Sequence, residues 1–213
     1  MIEYLSGDVM QGAPYRLVLF ENVLPRCDSL LEWLSAHLGF IRHYEDFFDQ
    51  YELPVQCADL PSDLAWLVSP QHLTGLVKSM NESFKVPFLP IVRIVFHRLC
   101  KGQGIGVHTD ESLPGYETHR LVVTLTDGWK DAWGGHFYVM NGNSEYDMHA
   151  LIRPAMNCGV AFELTPDSFH AVGEVNEGMR HSVVFSFWAR PLLDTDTYVD
   201  NFRELTKNAI FLD

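Results

Sequence analysis

A chain of 213 residues with 47% hydrophobic content can bury one substantial core, so a single domain over residues 1–213 is expected. Its formal charge of −13, from 28 acidic against 15 basic side chains, would repel phosphate backbones; no nucleic-acid partner is expected, and a neutral or basic peptide or a small molecule fits better. The N-terminus lacks the basic start and apolar centre of a signal peptide, no run approaches a membrane span, and Cys27, Cys57, Cys100 and Cys158 are scattered without a Cys-x-x-Cys, so a soluble cytoplasmic protein with free thiols is expected.

Residues 15–24, "YRLVLFENVL", are β-rich and end at Pro25. A helix is predicted next, capped at Asp28 or Ser29, with Leu30, Leu31, Leu34, Leu38 and Ile41 at helical spacing. A second helix begins at "SPQHL": Ser69 can cap it, Pro70 suits its first turn, and Leu73, Leu76, Val77 and Met80 form its apolar stripe. After Pro87 the texture changes to β-prone runs at 91–99, 119–126, 135–140, 159–164, 168–175 and 181–188, separated by Gly, Pro, Asn and Asp. Short pieces near 105–109 and 147–153 bring the total to about eight strands, the number in a double-sheet jelly roll. The predicted fold is mainly β with N-terminal helices (α+β): a helical support layer over about 25–86 on a β-helix core over about 87–190.

Within that core lies His108-Thr109-Asp110. With 10 histidines and 15 aspartates in the chain, about 0.7 such His-x-Asp triplets arise by chance, so the triplet alone is weak. If 107–110 is extended, however, His108 and Asp110 share one face of the sheet, because side chains alternate along a strand. His170, in "DSFHAVGEV", is the best third ligand. Two imidazoles and one carboxylate with open opposite positions describe the facial triad of non-haem Fe(II) oxygenases. Ten residues on, Arg180 offers a fork matched to a carboxylate, and the Ser182 hydroxyl falls on the same strand face, a pair suited to the distal carboxylate of a dicarboxylic acid.

His43-Tyr44-Glu45 is a decoy of the same form, placed in a helix-like segment where positions i and i+2 do not share a face, and assigned to the solvated surface. His97, His119, His136 and His181 read as structural or as neighbours of the site, and His149 is uninformative. Trp129 and Trp133 suit either a substrate wall or a loop anchor. The loop 111–118 either covers a substrate or merely connects, and the acidic stretch 192–200 is a solvated surface.

These residues, in this order, resemble the 2-oxoglutarate/Fe(II)-dependent dioxygenases, particularly the prolyl-hydroxylase-like branch. Gly102 and Gly104 before the first ligand, Gly134-Gly135 opening "GGHFYV", "HAVGEVNEGMR", the closing "FSFW" and the N-terminal strand-then-helix entry are similar in style, and the resemblance covers about 91–190. It implies a double-stranded β-helix of the cupin-like kind, Fe(II) held by His108, Asp110 and His170, and 2-oxoglutarate held by Arg180 and Ser182. It also implies decarboxylation to succinate and CO2 driven by O2, hydroxylation of an unactivated C–H bond in a peptide, protein residue or amino-acid-like molecule, and ascorbate as a possible reductant. Asp110 in the carboxylate position disfavours the halogenase variation. Two departures concern 2-oxoglutarate binding. The strand after His-x-Asp carries Thr124 and Thr126 where the branch commonly has a tyrosine, and His97 or Arg98 stands where another is often found. The rival readings are a jelly-roll binding module without catalysis and a zinc hydrolase using the same triad, both of which leave Arg180 and Ser182 without a task.

Overall fold

The computed structural model describes residues 5, 7–110, 117–189 and 208–212. The apolar alternation of "RHSVVFSFWA" makes β12 (Met179–Ala189) the centre of the molecule. It pairs antiparallel with β5 (Phe88–Cys100) on one side and β7 (His119–Leu125) on the other. From β7 the order runs outward through β10 (Cys158–Glu163), β2 (Leu17–Glu21) and β1 (Gly7–Val9). Beyond β5 come β4 (Phe48–Pro54), β6 (Ile105–His108), β11 (His170–Val172), β8 (Phe137–Met140) and β9 (Met148–Ile152), while β3 (Ile41–Glu45) joins β4 and β13 (Ala209–Phe211) joins β5. All these pairings are antiparallel, and together they make the jelly roll.

Period-2 alternation divides β12 between two environments. Val183, Phe185 and Phe187 point to one side and are fully buried in a cluster with Phe96, Leu30, Leu34, Leu73, Leu76 and Met80. The last five of those come from α1 (Cys27–Ala36) and α2 (Pro70–Phe84), which cover the outer face of the sheet. Each such side chain contributes about 1.5–3 kcal/mol by leaving water. Arg180, Ser182, Val184 and Ser186 alternate with them and face an interior cavity. A second apolar cluster, including Leu99, Phe137, Phe162 and Val172, adjoins that cavity.

Each of the eight predicted β-prone runs contains a strand. The second helix is capped as read: Ser69 Oγ accepts from the His72 N–H at 3.3 Å, with Pro70 as its first residue. The first helix differs. It begins at Cys27 after Arg26 with no side-chain cap, so Asp28 lies in its first turn rather than at its cap. It stops at Ala36 because Arg98, from β5, donates to the Leu34 and His37 carbonyls and the chain turns extended at His37. Leu38 is consequently 94% exposed and Ile41 belongs to β3 instead of a helical stripe. The layer read as helical over 25–86 therefore also contains the β3–β4 hairpin. His43-Tyr44-Glu45 is strand, not helix, so its i and i+2 side chains do share a face; full exposure along β3 is what leaves it on the surface.

Cys27, Cys100 and Cys158 are free thiols. Among the described residues no helix is long and apolar enough to cross a membrane. Residues 111–116 of the loop and the whole 192–200 stretch lie outside the described residues.

Candidate active site

Strands β6 and β11 run antiparallel with His108 directly opposite His170, which brings the two rings to 4.3 Å between centroids. Asp110, two residues beyond His108, turns its carboxylate between them: Oδ1 lies 3.6 Å from His108 Nε2 and Oδ2 3.1 Å from His170 Nε2. One ligand atom from each of the three residues falls within 4.8 Å of the others, and among the described residues this is the one cluster so arranged. Phe137 stacks on the His170 ring at 5.4 Å, Phe162 packs at 4.7 Å, and Phe47 lies 5.6 Å from the His108 ring. The rings are thus held by apolar surfaces.

The backbone assigns the tautomers. His108 Nδ1 is 2.8 Å from the Gly106 carbonyl and His170 Nδ1 is 2.9 Å from the Ser168 carbonyl. A carbonyl only accepts, so each Nδ1 carries the proton and each neutral ring turns a bare Nε2 lone pair inward. Burial lowers the pKa of His170 further, despite the carboxylate beside it, which keeps the ring neutral. Asp110 is the opposite case: burial would raise its pKa, but the Arg120 charge holds it well below the usual carboxylate range. Two lone pairs and an anionic carboxylate facing one point repel one another unless a cation sits among them. The donor set fits a divalent metal with N and O preference, Fe(II) included.

The cavity beside the triad measures about 440 Å³. Cross-strand register orders its wall across β5, β12 and β7. His97, Ser182 and Thr124 are neighbours in one row, Val95, Val184 and Val122 in the next, and Arg93, Ser186 and Arg120 in the last. Arg180 precedes the first row and is 4% exposed. Its Nη1 donates to Ser182 Oγ at 2.8 Å, its Nε has no partner, and among the described residues no carboxylate pairs with it. Burial alone pushes its pKa down to about 10. A buried, charged fork without a counter-charge is a receptor for an anion. Gly135, with φ +63°, lets the chain pass close to it: a Cβ there would lie 3.1 Å from the Arg180 side chain. Gly134, with φ +72°, has even less room, since its Cβ would come 2.0 Å from the Glu174 carbonyl.

The positions where the branch commonly has tyrosines resolve into His97 and Thr124, both flanking Ser182 across the ladder. His97 lines the cavity, 3.9 Å from Glu52, and burial pushes its pKa down to about 4. Arg98 faces the other way: it lies over Phe40 at 3.9 Å and donates to His181 Nε2 at 3.1 Å. His119 is wedged between Phe84 and Phe88, and His136 lies 3.8 Å from Asp131. Trp129 and Trp133 meet edge to face at 5.7 Å and stay out of the cavity wall, so they anchor their loop.

A group of charges went unread in the sequence. Arg120 Nη1 makes an ion contact of 2.5 Å with Asp110 Oδ2, and its Nη2 donates to Glu117 Oε1 at 2.6 Å. Arg93 donates to the same Oε1 at 2.6 Å. The period of β7 carried the signal: Arg120, Val122 and Thr124 are alternate residues and so share the inner face.

The fold and this donor set make a candidate mononuclear metal site on a jelly roll. The family model of the 2OG-Fe(II) oxygenase superfamily matches residues 94–190, the stretch that supplies all five of these side chains. Over that region the chain is similar to the 2OG-Fe(II) oxygenases. Among solved structures, a prolyl-4-hydroxylase from Pseudomonas putida superposes with a TM-score of 0.66 at 15% identity, covering 83% of this chain and 94% of that one. A collagen prolyl hydroxylase from Paramecium bursaria Chlorella virus-1 gives 0.60 at 13%, covering 80% and 94%. A 2OG-Fe(II) oxygenase family oxidoreductase from Burkholderia pseudomallei gives 0.59 at 18%, covering 81% and 84%. Among curated proteins none matches this sequence.

Proposed function

We propose that this protein is an Fe(II)/2-oxoglutarate-dependent oxygenase that hydroxylates an unactivated C–H bond in a peptide or protein residue or an amino-acid-like molecule, with His108, Asp110 and His170 holding Fe(II) and Arg180 with Ser182 holding the distal carboxylate of 2-oxoglutarate. The observation that carries the proposal is a buried guanidinium without a counter-charge, in the same cavity as two neutral imidazoles and a carboxylate aimed at one point. When bound, the iron and the keto acid together supply the oxidation: one atom of O2 enters the new hydroxyl, the other enters succinate, and CO2 leaves. The chain's own work is positional. The Gly106 and Ser168 carbonyls fix the tautomer of each imidazole, so both Nε2 atoms stay available for coordination. Ser182 Oγ, accepting from Arg180, holds the fork at the deep end of the cavity, which sets where the keto end of the cosubstrate falls. Phe137 and Phe162 close the walls around His170 and keep water from that side of the site.

The P. putida neighbour, a prolyl-4-hydroxylase, supports a peptidyl substrate, and the chain's net charge of −13 supports a neutral or basic one. The test is an anaerobic titration of purified protein with Fe(II) and 2-oxoglutarate, read as the charge-transfer absorption of the chelate. Wild type develops the band and, in air, forms succinate; Asp110→Ala develops neither. A wild-type protein that shows no band at saturating Fe(II) and 2-oxoglutarate contradicts the reading.

A further inference from the structure

We propose that Arg120 is a positioning residue for Asp110: its guanidinium, in ion contact with Oδ2, sets how the carboxylate meets the metal and opposes binding through both oxygens. The inference rests on the iron reading of the triad given above and adds a residue to it. Asp110 needs such a partner because of where it stands. β6 ends at His108, so the sheet's ladder fixes the first ligand but not the second. Arg120 lies on β7, a strand paired on both sides by β10 and β12, which makes it a rigid point from which to hold a carboxylate outside any strand.

The guanidinium is itself locked. Nη1 meets Asp110 Oδ2 at 2.5 Å while Nη2 meets Glu117 Oε1 at 2.6 Å, so its two arms are committed to different acids. Arg93 grips the same Glu117 oxygen at 2.6 Å, with Ser186 Oγ 3.4 Å from both Arg93 and Glu117. Turning Arg120 away would take an ion pair from Glu117, which is only 4% exposed.

The consequence concerns coordination. In an octahedral site, two imidazoles and one carboxylate oxygen leave a whole face free for the other reactants, whereas a carboxylate that binds through both oxygens takes one of those positions. An arginine on Oδ2 opposes that second bond. Its charge would also repel the metal at this distance, and Glu117 offsets it, which gives a reason for pairing Arg120 with two acids.

The experiment titrates the full chain with Co(II), an air-stable probe whose ligand-field bands report the number of ligands, in wild type, R120Q, R120K and R153A. R120Q should bind Co(II) about ten- to hundredfold more weakly, with altered bands, as expected when the outer partner of a metal ligand is lost. R120K keeps the charge but gives up the fork, and should fall within about tenfold of wild type, again with altered bands. R153A, at an exposed arginine that pairs with Asp131 and does not line the cavity, should keep wild-type affinity and bands. A folded R120Q with wild-type affinity and bands overturns the inference and leaves the iron reading standing. Should R120Q not fold, wild-type affinity and bands in R120K overturn it equally. Wild type that takes up no Co(II) overturns the iron reading first and this inference with it.

Discussion

Arg180 and Arg120 line one cavity from adjacent antiparallel strands, and the protein treats them in opposite ways. Arg180 has a serine and an unpartnered Nε, and burial drags its pKa down to about 10. Arg120 is partly buried, and burial would lower its pKa too, but Asp110 and Glu117 raise it well above the ordinary arginine value. Taking a cation out of water costs several kcal/mol unless an opposite charge repays it. At Arg120 the repayment is built into the fold. At Arg180, among the described residues, no carboxylate supplies it, which is the ground for proposing that end of the cavity as the receptor.

Deleting the unpaired cation sharpens that contrast most. Arg180→Ala should weaken 2-oxoglutarate by about 2–5 kcal/mol, the usual loss when one partner of a buried charged pair is removed. It should leave the melting temperature of the ligand-free protein unchanged or raised, because a buried charge without a partner has been taken away. Isothermal titration and thermal unfolding of the ligand-free protein read both halves. A marked drop in the melting temperature of Arg180→Ala would show that its charge is paired after all, and the contrast with Arg120 would collapse.

The sequence exposed one of these two arginines and hid the other. Arg180 and Ser182 stand at a spacing that β12 turns to one side, and His108 and His170 lie on readable β-prone runs, whereas Asp110 falls past the end of β6. Arg120 follows the same period, but nothing local indicates that its partners are Glu117, three residues back, and Asp110, ten back. Ion pairs leave no periodic trace. The β3–β4 hairpin was hidden for a related reason: β3 is exposed along its whole length, so it has no apolar face to produce an alternation, and Leu38 and Ile41 happened to continue a helical spacing. The end of α1 depends on Arg98, sixty-odd residues away, and is likewise silent in its own neighbourhood.

Acid should separate the apolar outer face from the cavity. His119, 2% exposed between two phenylalanines, has a pKa pushed by burial from 6.5 down to about 3. His181, also 2% exposed, accepts from Arg98 and is held at about 4 by burial and then by that charge. Both are neutral in the fold and protonate first in the unfolded chain. Their contribution is therefore complete above pH 6.5 and is lost as pH falls from there toward the folded values. Each costs about 1.4 kcal/mol per pH unit in that window. His119→Phe, which keeps an aromatic between Phe84 and Phe88, should lose about 2 kcal/mol less stability than wild type between pH 7 and pH 5. Denaturant unfolding at the two pH values measures the difference, and equal losses in both proteins would mean that His119 is charged or exposed in the fold.

The finest test uses two serines on one strand face, four residues apart. Ser182 serves the unpaired cation, its Oγ 2.8 Å from Arg180 Nη1; Ser186 serves the paired cluster, its Oγ 3.4 Å from Arg93 and from Glu117. Ser182→Ala removes the one neighbour that orients the empty fork, so 2-oxoglutarate affinity should fall about tenfold, near 1.4 kcal/mol. Ser186→Ala takes a weak third partner from groups already joined by short ion pairs, and the same titration should return the wild-type value. The two substitutions are chemically identical and occupy the same face of β12, so any difference reports which arginine is waiting for a ligand. Equal losses would mean that the cosubstrate spans both ends of the cavity, and Arg93 and Arg120 would then have to be counted among its contacts.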